Sequence, residues 1–395
     1  MPRLQGFLNK MTVPKLRFTD PSGMDFPDWQ VRQLGQISSI KRGASPRPIS
    51  DKKWFSNKSN IGWVRISDVT SSNKYLNSTQ QYLSEEGVSK SRLIAKGNII
   101  MSICATIGKP IYTNFDACIH DGFVVFEDLQ IDHEYLYYYL SRIEKNWYRY
   151  GQPGSQVNLN SDIVANESIA VPHLSEQKKI AEFLSSVDEK ISLLTQQHKK
   201  LETYKKGVMQ RIFARELQFK TETGASYPEW KQVKLEDIAD TTTGSSNRAD
   251  SSLIGEYTFF DRSEDIRTSD RYLFDCEAII VPGEGQAFMP KYFIGKFDLH
   301  QRAYAIMNFK NSLSKFVYFH IEFYKNYFLS KAVGSTVKSL RLPMFNEMPI
   351  QLPSIEEQEK IIAFLTSIDD KILNACKQLE LTKQYKEGLL QQMFV

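Results

Sequence analysis

Glu176 and Lys178 stand in the E-x-K spacing that metal-dependent nucleases carry on a core strand. Here the pattern opens a helical stretch, and the matching Glu357-Gln358-Glu359 breaks it, so the acid reads as a charge favourable to a helix N-terminus. The six histidines have no HxxxH or other ligand spacing, and His120 and His300 are bracketed by strand patterns, which makes them structural histidines. Gly283-Glu284-Gly285 lacks the third glycine and the following helix of a cofactor loop, and no Walker A sequence is present. Asp20-Pro21-Ser22 is not an adenine-methyltransferase tetrad of the NPPY or DPPY kind, and no carboxylate pair stands out for acid–base work. Cys104, Cys118, Cys276 and Cys376 form no CxxC pair and read as buried thiols of a reducing compartment. The residue types argue for a chain that is not an enzyme, with no metal and no cofactor of its own.

The elements that hold these residues come in two copies. Residues 172–191, PHLSEQKKIAEFLSSVDEKI, recur as 353–372, PSIEEQEKIIAFLTSIDDKI, at an offset of 181 that persists through Tyr204/Tyr385 and Gly207/Gly388 to Phe213/Phe394. One unit has been used twice. Ile180, Val187, Leu194, Leu201 and Val208 fall at sevens, with Phe183, Leu184, Ile191, Tyr204 and Ile212 beside them. In the second copy Ile361, Ile368, Ala375 and Leu389 hold the sevens, with Phe364, Leu365, Ile372, Leu379, Tyr385 and Met393 completing the stripe and Thr382 interrupting it. Such spacing makes a seam for another helix, so the two helices are expected to pack on each other. Each, at roughly 40 residues, would run about 60 Å. Ser354 and Glu357 have capping-box spacing; the first copy has His173 in place of that serine.

Upstream the repeat resumes at an offset of 201: Leu16/Leu217, Phe18/Phe219, Gly23/Gly224, Pro27/Pro228, Trp29/Trp230, Leu34/Leu235, Ile37/Ile238 and Gly43/Gly244. The first ten residues have no counterpart, which leaves Met11 as a second candidate start. After Gly43 the copies diverge, and matching returns near Ile99/Ile279 and includes His120/His300. The first copy therefore carries about 21 extra residues, in a stretch where positions 41–58 hold six basic residues against Asp51 alone. Segments 97–103, 122–126, 277–281 and 303–309 read as strands, and Asp132–Leu140 and Ser314–Phe323 as aromatic helices on them. Strands at Ile169–Val171 and Pro349–Leu352 lead into the long helices. The expected division is 1–173, a globular domain; 174–214, a helix; 215–354, a second globular domain; and 355–395, a second helix. The expected fold is α+β: two repeated mixed α/β domains separated by two long antiparallel helices in a coiled coil, with pseudo-twofold symmetry. A chain of 395 residues can hold that, and with no apolar run of membrane length it is expected to be soluble and cytoplasmic.

Lys15-Leu16-Arg17-Phe18 with Phe26-Pro27-Asp28-Trp29, Leu217-Gln218-Phe219 with Tyr227-Pro228-Glu229-Trp230, and the paired Glu-Gln helices resemble the DNA-specificity subunits of bacterial type I restriction–modification systems. The likeness covers nearly the whole chain, and the two-fold order of the motifs makes it specific. It implies two target-recognition domains, each reading one half of a split double-stranded DNA sequence, and helices that act as spacer and docking platform. It also implies two methyltransferase subunits that bring S-adenosylmethionine, and restriction/translocase subunits that bring ATP and Mg chemistry. None of these activities follows from the residues of this chain. A rod of about 60 Å spans at most about 18 base pairs at roughly 3.4 Å each.

Reading DNA takes base-edge hydrogen bonds from Arg, Lys, Asn or Gln, with phosphate contacts to set register. The candidates in the first domain are Lys41, Arg42, Arg47, Lys52, Lys53, Lys58 and Arg65, with Ser155, Gln156 and Asn158 from a Gly-Ser loop. In the second they are Ser245, Asn247, Arg248, Arg262, Arg267, Arg271, Lys338 and Arg341. A net charge of +4 does not by itself establish a nucleic-acid partner. Two other classes compete with the DNA reading: a non-catalytic protein-binding scaffold with two heads on a helical rod, and an enzyme with an unrecognised site.

Overall fold

The strand at Ile99–Ser102 is buried along its whole length, as expected of a segment covered on both faces. It lies between Phe123–Glu127 and Pro110–Thr113, antiparallel to both, in a five-stranded sheet edged by Ser39–Arg42 and Tyr75–Leu76. In the computed structural model, residues 14–150, 159–263 and 265–395 are described. They fall into two compact units that cut across the chain order: residues 1–193 with 379–395, and residues 194–378. Each long helix, Leu174–Phe213 and Ile355–Met393, thus gives one part to each unit.

In unit 1 the helix His133–Ile143 covers the sheet. Asp132 caps it by accepting from the Tyr135 amide at 3.0 Å, and every tyrosine of the Tyr135–Tyr139 run is buried. Buried phenols need acceptors: Tyr135 donates to the Ala170 carbonyl, 2.7 Å, and Tyr138 to Asp188, 2.7 Å. The stretch between Gly43 and Ile99, where the first copy is longer, supplies three strands of a second sheet and Ala117–Ile119 the fourth, in the order Gln81–Tyr82, Gly62–Val64, Ala117–Ile119, Arg92–Ile94.

Unit 2 has one six-stranded sheet in which the long strands Phe274–Pro282 and Lys291–Leu299 pair antiparallel. The helix Ser314–Phe323 packs its buried Phe316, Val317 and Phe319 into the unit's main core. In both units a short edge strand closes the globular part onto the strand that precedes the long helix. Gln30 lies opposite Val171 in one, and Lys231 opposite Leu352 in the other.

Within each unit the two long-helix segments run antiparallel. In unit 1, Leu16 N–H bonds the Gln392 carbonyl while its neighbour Arg17 pairs with Glu176; further along, Lys386 reaches Asp188. In unit 2, Arg215 reaches Glu357 and Lys205 reaches Asp369. Ile180, Leu184, Val187, Leu389, Leu390 and Met393 lie in the core of unit 1, with Phe183 and Ile191 half-buried against it. Val208, Ile212, Ile361, Leu365 and Ile368 lie in the core of unit 2, with Phe364 and Ile372 against it. Leu194 and Leu379 are buried and Leu201 is half-buried. Tyr204 and Tyr385 are corrections to the seam expected from the sequence, for both are more than half exposed. A seven-residue stripe drifts around a 3.6-residue helix, and these positions have rotated outward. The thiols differ too: only Cys118 is buried, and Cys376 is exposed.

Candidate nucleic-acid interface

The side chains that fix each globular part to its helix are the repeated Glu-Gln pair. Glu176, fully buried, accepts from the Trp29 indole at 3.0 Å and from Arg17 through both carboxylate oxygens, at 3.0 and 2.8 Å. Glu357 accepts from the Trp230 indole at 2.8 Å and meets Arg215 at 3.4 Å. Gln218 occupies the place matching Arg17, so the cation of the second clasp comes from a different position, the positive-φ residue after the first long helix. Burial raises the Glu357 carboxyl above its ordinary range, against the pull of Arg215.

Gln177 accepts from the Asp132 amide at 2.8 Å and donates to the Pro172 carbonyl at 2.9 Å; Gln358 does the same with Leu313, 2.8 Å, and Pro353, 3.0 Å. A buried carboxamide satisfied at both ends ties the start of the aromatic helix to the start of the long one. Sequence reading missed both roles. It gave the acid only to the helix dipole, and it gave Glu357 a reciprocal capping box. Ser354 does receive the Glu357 amide at 3.4 Å, but the Glu357 side chain is turned to Trp230. The signal was available, since Glu-Gln and the tryptophan recur together while their neighbours change.

Gly43 and Gly244 mark where the two surfaces begin to differ. A Cβ would sit 2.0 Å from the His120 carbonyl at Gly43 and 1.7 Å from the Leu299 carbonyl at Gly244, so a glycine is required at each by close backbone approach. His120 Nδ1 accepts from the Gly122 amide at 2.7 Å, and His300 Nδ1 from the Arg302 amide at 3.0 Å. Burial lowers the pKa of both imidazoles. They serve as turn caps, as their placement in the sequence suggests.

The loops that leave these glycines carry the basic residues. In unit 1, Arg47 donates to Asp121 at 3.0 Å, and Ser45 binds the same carboxylate at 2.7 Å. Burial opposes ionisation of Asp121, yet these bonds and the Arg47 charge hold its carboxyl below the usual carboxylate range. Arg65, exposed at the end of the strand Gly62–Val64, donates to Gln81 at 3.0 Å. Arg47, Lys52 and Arg65 line one cleft of about 580 Å³ floored by Trp63. Lys41 pairs with Glu127 at 2.6 Å, Arg42 donates to the Asp121 carbonyl, Lys53 lies 4.2 Å over Trp54 and pairs with Glu86, and Lys58 is exposed. Ser155, Gln156 and Asn158 lie outside the described residues.

In unit 2, Arg248, Arg262, Arg271 and Arg302 are tied to acids. Arg271 bonds Ser246 at 2.8 Å and Asp250 at 3.3 Å, and faces the fully buried Asp298 at 3.6 Å. Arg248 meets Asp261 at 3.5 Å, while Arg262 shares Glu284 with Arg302. Arg267 is half-buried and bonds Ser251; Lys338 is half-buried in a short strand with Ser339. Ser245, Asn247 and Arg341 are exposed.

A family model for the type I restriction modification DNA specificity domain matches residues 27–203 and again 227–383. The chain belongs to this family. The type I restriction enzyme MjaVIII specificity subunit of Methanocaldococcus jannaschii is 21% identical over 94% of each chain. The EcoDI specificity subunit of Escherichia coli is 29% identical over 41% of this chain and 35% of its own length. The S subunit of the type I restriction–modification system from M. genitalium shares the fold, with a TM-score of 0.63 at 14% identity over 97% of this chain and 99% of that one. A specificity subunit recognises the DNA target and is a non-catalytic component of its system, and this chain carries two specificity domains, one in each half. Among the described residues no helix is long and apolar enough to cross a membrane, and no group of three His, Cys, Asp or Glu is set to hold a metal.

Proposed function

We propose that this specificity subunit acts in the cytoplasm, docks two methyltransferase subunits and, through the assembled complex, restriction/translocase subunits. S-adenosylmethionine, ATP and Mg enter with those partners, and this chain contributes none of them. Unit 1 reads its half-site through the loops bearing Lys41, Arg42, Arg47, Lys52, Lys53, Lys58 and Arg65. Unit 2 reads through Ser245, Asn247, Arg248, Arg262, Arg267, Arg271, Lys338 and Arg341. The observation that carries this reading is the contrast within each unit. The Trp–Glu and Gln clasps recur atom for atom, whereas the loops beyond Gly43 and Gly244 match only through Ser45/Ser246 and Arg47/Arg248 and then differ in length and in their other basic residues. A common frame with two different surfaces suits a common docking partner and two different sequences to read.

The test is reconstitution of the full chain with the methyltransferase subunit of its own system, followed by sequencing of methylated adenine on genomic DNA. A split motif with two unlike halves is the expected result. Methylation without a motif, or a complex that forms without this chain, would overturn the reading.

A further inference from the structure

The cleft of unit 1 brings together two arginines that are each held through a single guanidinium nitrogen. Arg47 gives one terminal nitrogen to Asp121 and Arg65 gives one to Gln81. Among the described residues their remaining guanidinium nitrogens make no hydrogen bond. Both side chains stand on rigid supports. Asp121 is itself bound by Ser45 and sits in the turn capped by His120, whose ring lies 6.0 Å from the buried Trp63. Gln81 is on the strand that pairs with Trp63. By contrast, Arg271 is engaged by Ser246, Asp250 and Asp298, and Glu284 is divided between two arginines. Lys53 is held over Trp54 and against Glu86.

A guanidinium tied by one nitrogen is aimed but still has donors to offer. Guanine shows two acceptors, O6 and N7, side by side on its major-groove edge, and the guanidinium fork matches them in a bidentate contact. A lysine supplies a point charge without that geometry. We propose that Arg47 and Arg65 are the base-reading residues of unit 1, each directed at a guanine of its half-site, with Lys52 on the same cleft serving a phosphate. This rests on the specificity reading above and deepens it: it names the base and the two side chains.

The experiment uses the full chain assembled with its methyltransferase subunits and duplexes carrying the methylated motif. The half-site belonging to unit 1 is expected to contain guanine. Arg47→Lys and Arg65→Lys keep the charge, so the salt dependence of binding to unrelated DNA stays as it was. Each is expected to lower discrimination at its own guanine by about 5- to 150-fold. Replacing that guanine with 7-deazaguanine, which lacks the N7 acceptor, should weaken the unaltered complex and add little to the lysine variant that has lost the contact. A unit 1 half-site without guanine on either strand would overturn the proposal. So would full discrimination in both lysine variants, an outcome that leaves the two-unit reading standing. A complex that selects no sequence at all would remove both.

Discussion

Lys205 lies 2.8 Å from Asp369, and Lys386 lies 2.6 Å from Asp188: the same ion pair, shifted by 181 residues and built with the roles of the two helices exchanged. The surroundings are not the same. Lys205 is also held by both oxygens of Glu322, at 2.9 Å, and lies 5.3 Å from the Phe319 ring. Lys386 has the Tyr138 ring, 5.5 Å away, and Tyr138 bonds Asp188 directly.

That difference sets the first prediction. Lys205 is buried, and Lys205→Met leaves Glu322 and Asp369 facing each other without a cation. A loss of about 3 kcal/mol is expected for breaking a buried pair. Lys386→Met leaves one carboxylate that still accepts from Tyr138, and about 1 kcal/mol is expected where the lysine is only half-buried and has a single acid partner. Urea denaturation of the two variants checks the order, and equal losses would contradict it.

The Glu176 clasp gives a second prediction. Glu176→Gln keeps the shape but turns one acceptor into a donor facing Arg17 or the Trp29 indole. Leaving a buried donor without a partner costs about 1–3 kcal/mol. Glu357→Gln is expected to cost less, because its carboxylate meets one arginine nitrogen at 3.4 Å where Glu176 binds Arg17 twice. Thermal melting of both variants decides, with a larger drop at Glu357 as the contrary result.

His320 makes unit 2 sensitive to acid. It is almost fully buried, accepts from the Gln351 amide at 3.3 Å, and packs against Phe213 and Tyr324. Burial pushes its pKa down to about 3. The unfolded chain takes up this proton below the ordinary value of about 6.5, and the folded chain does not until much lower pH. Stability from this group is therefore complete above about pH 6.5 and declines as pH falls, by up to roughly 1.4 kcal/mol per unit. His320→Phe should flatten the wild-type slope between pH 6.5 and 5, above the range where most carboxylates titrate. An unchanged slope in the variant would refute this.

The long helices, the paired strands and the aromatic helices could be read from the sequence because each has its own period, and the repeat gives every observation a second witness. Tyr204 and Tyr385 could not be placed that way. Both keep near-heptad spacing and are identical between copies, yet they face outward, and a period alone does not say where a stripe leaves its partner. The Glu176 and Glu357 clasps were hidden for another reason. Their partners Trp29 and Trp230 lie more than a hundred residues away, and only the fold brings them together. The basic residues were found by type, but whether each is aimed outward or tied to an acid depends on Asp121, Gln81, Glu284 and Asp298, which no local pattern connects to them.

The last prediction concerns exchange of residues 30–171 for the matching segment of a related specificity subunit. Gln30 and Val171 are opposite each other in an antiparallel pair, so the ends of the segment meet and can be grafted as one piece. Trp29, Pro172, Glu176 and Gln177 stay outside it, and so does the helix segment that packs beneath. The bond from Gln177 into the graft reaches a backbone amide, at Asp132, and the second unit makes the same bond to Leu313. A polar or an apolar residue can therefore stand at that position. The graft should fold, assemble with the methyltransferase and change one half of the methylated motif while the other half stays as it was. Sequencing of methylated adenine in cells carrying the exchanged chain reads the result directly. If both halves changed, or neither did, the division of recognition between two separately anchored units would be wrong.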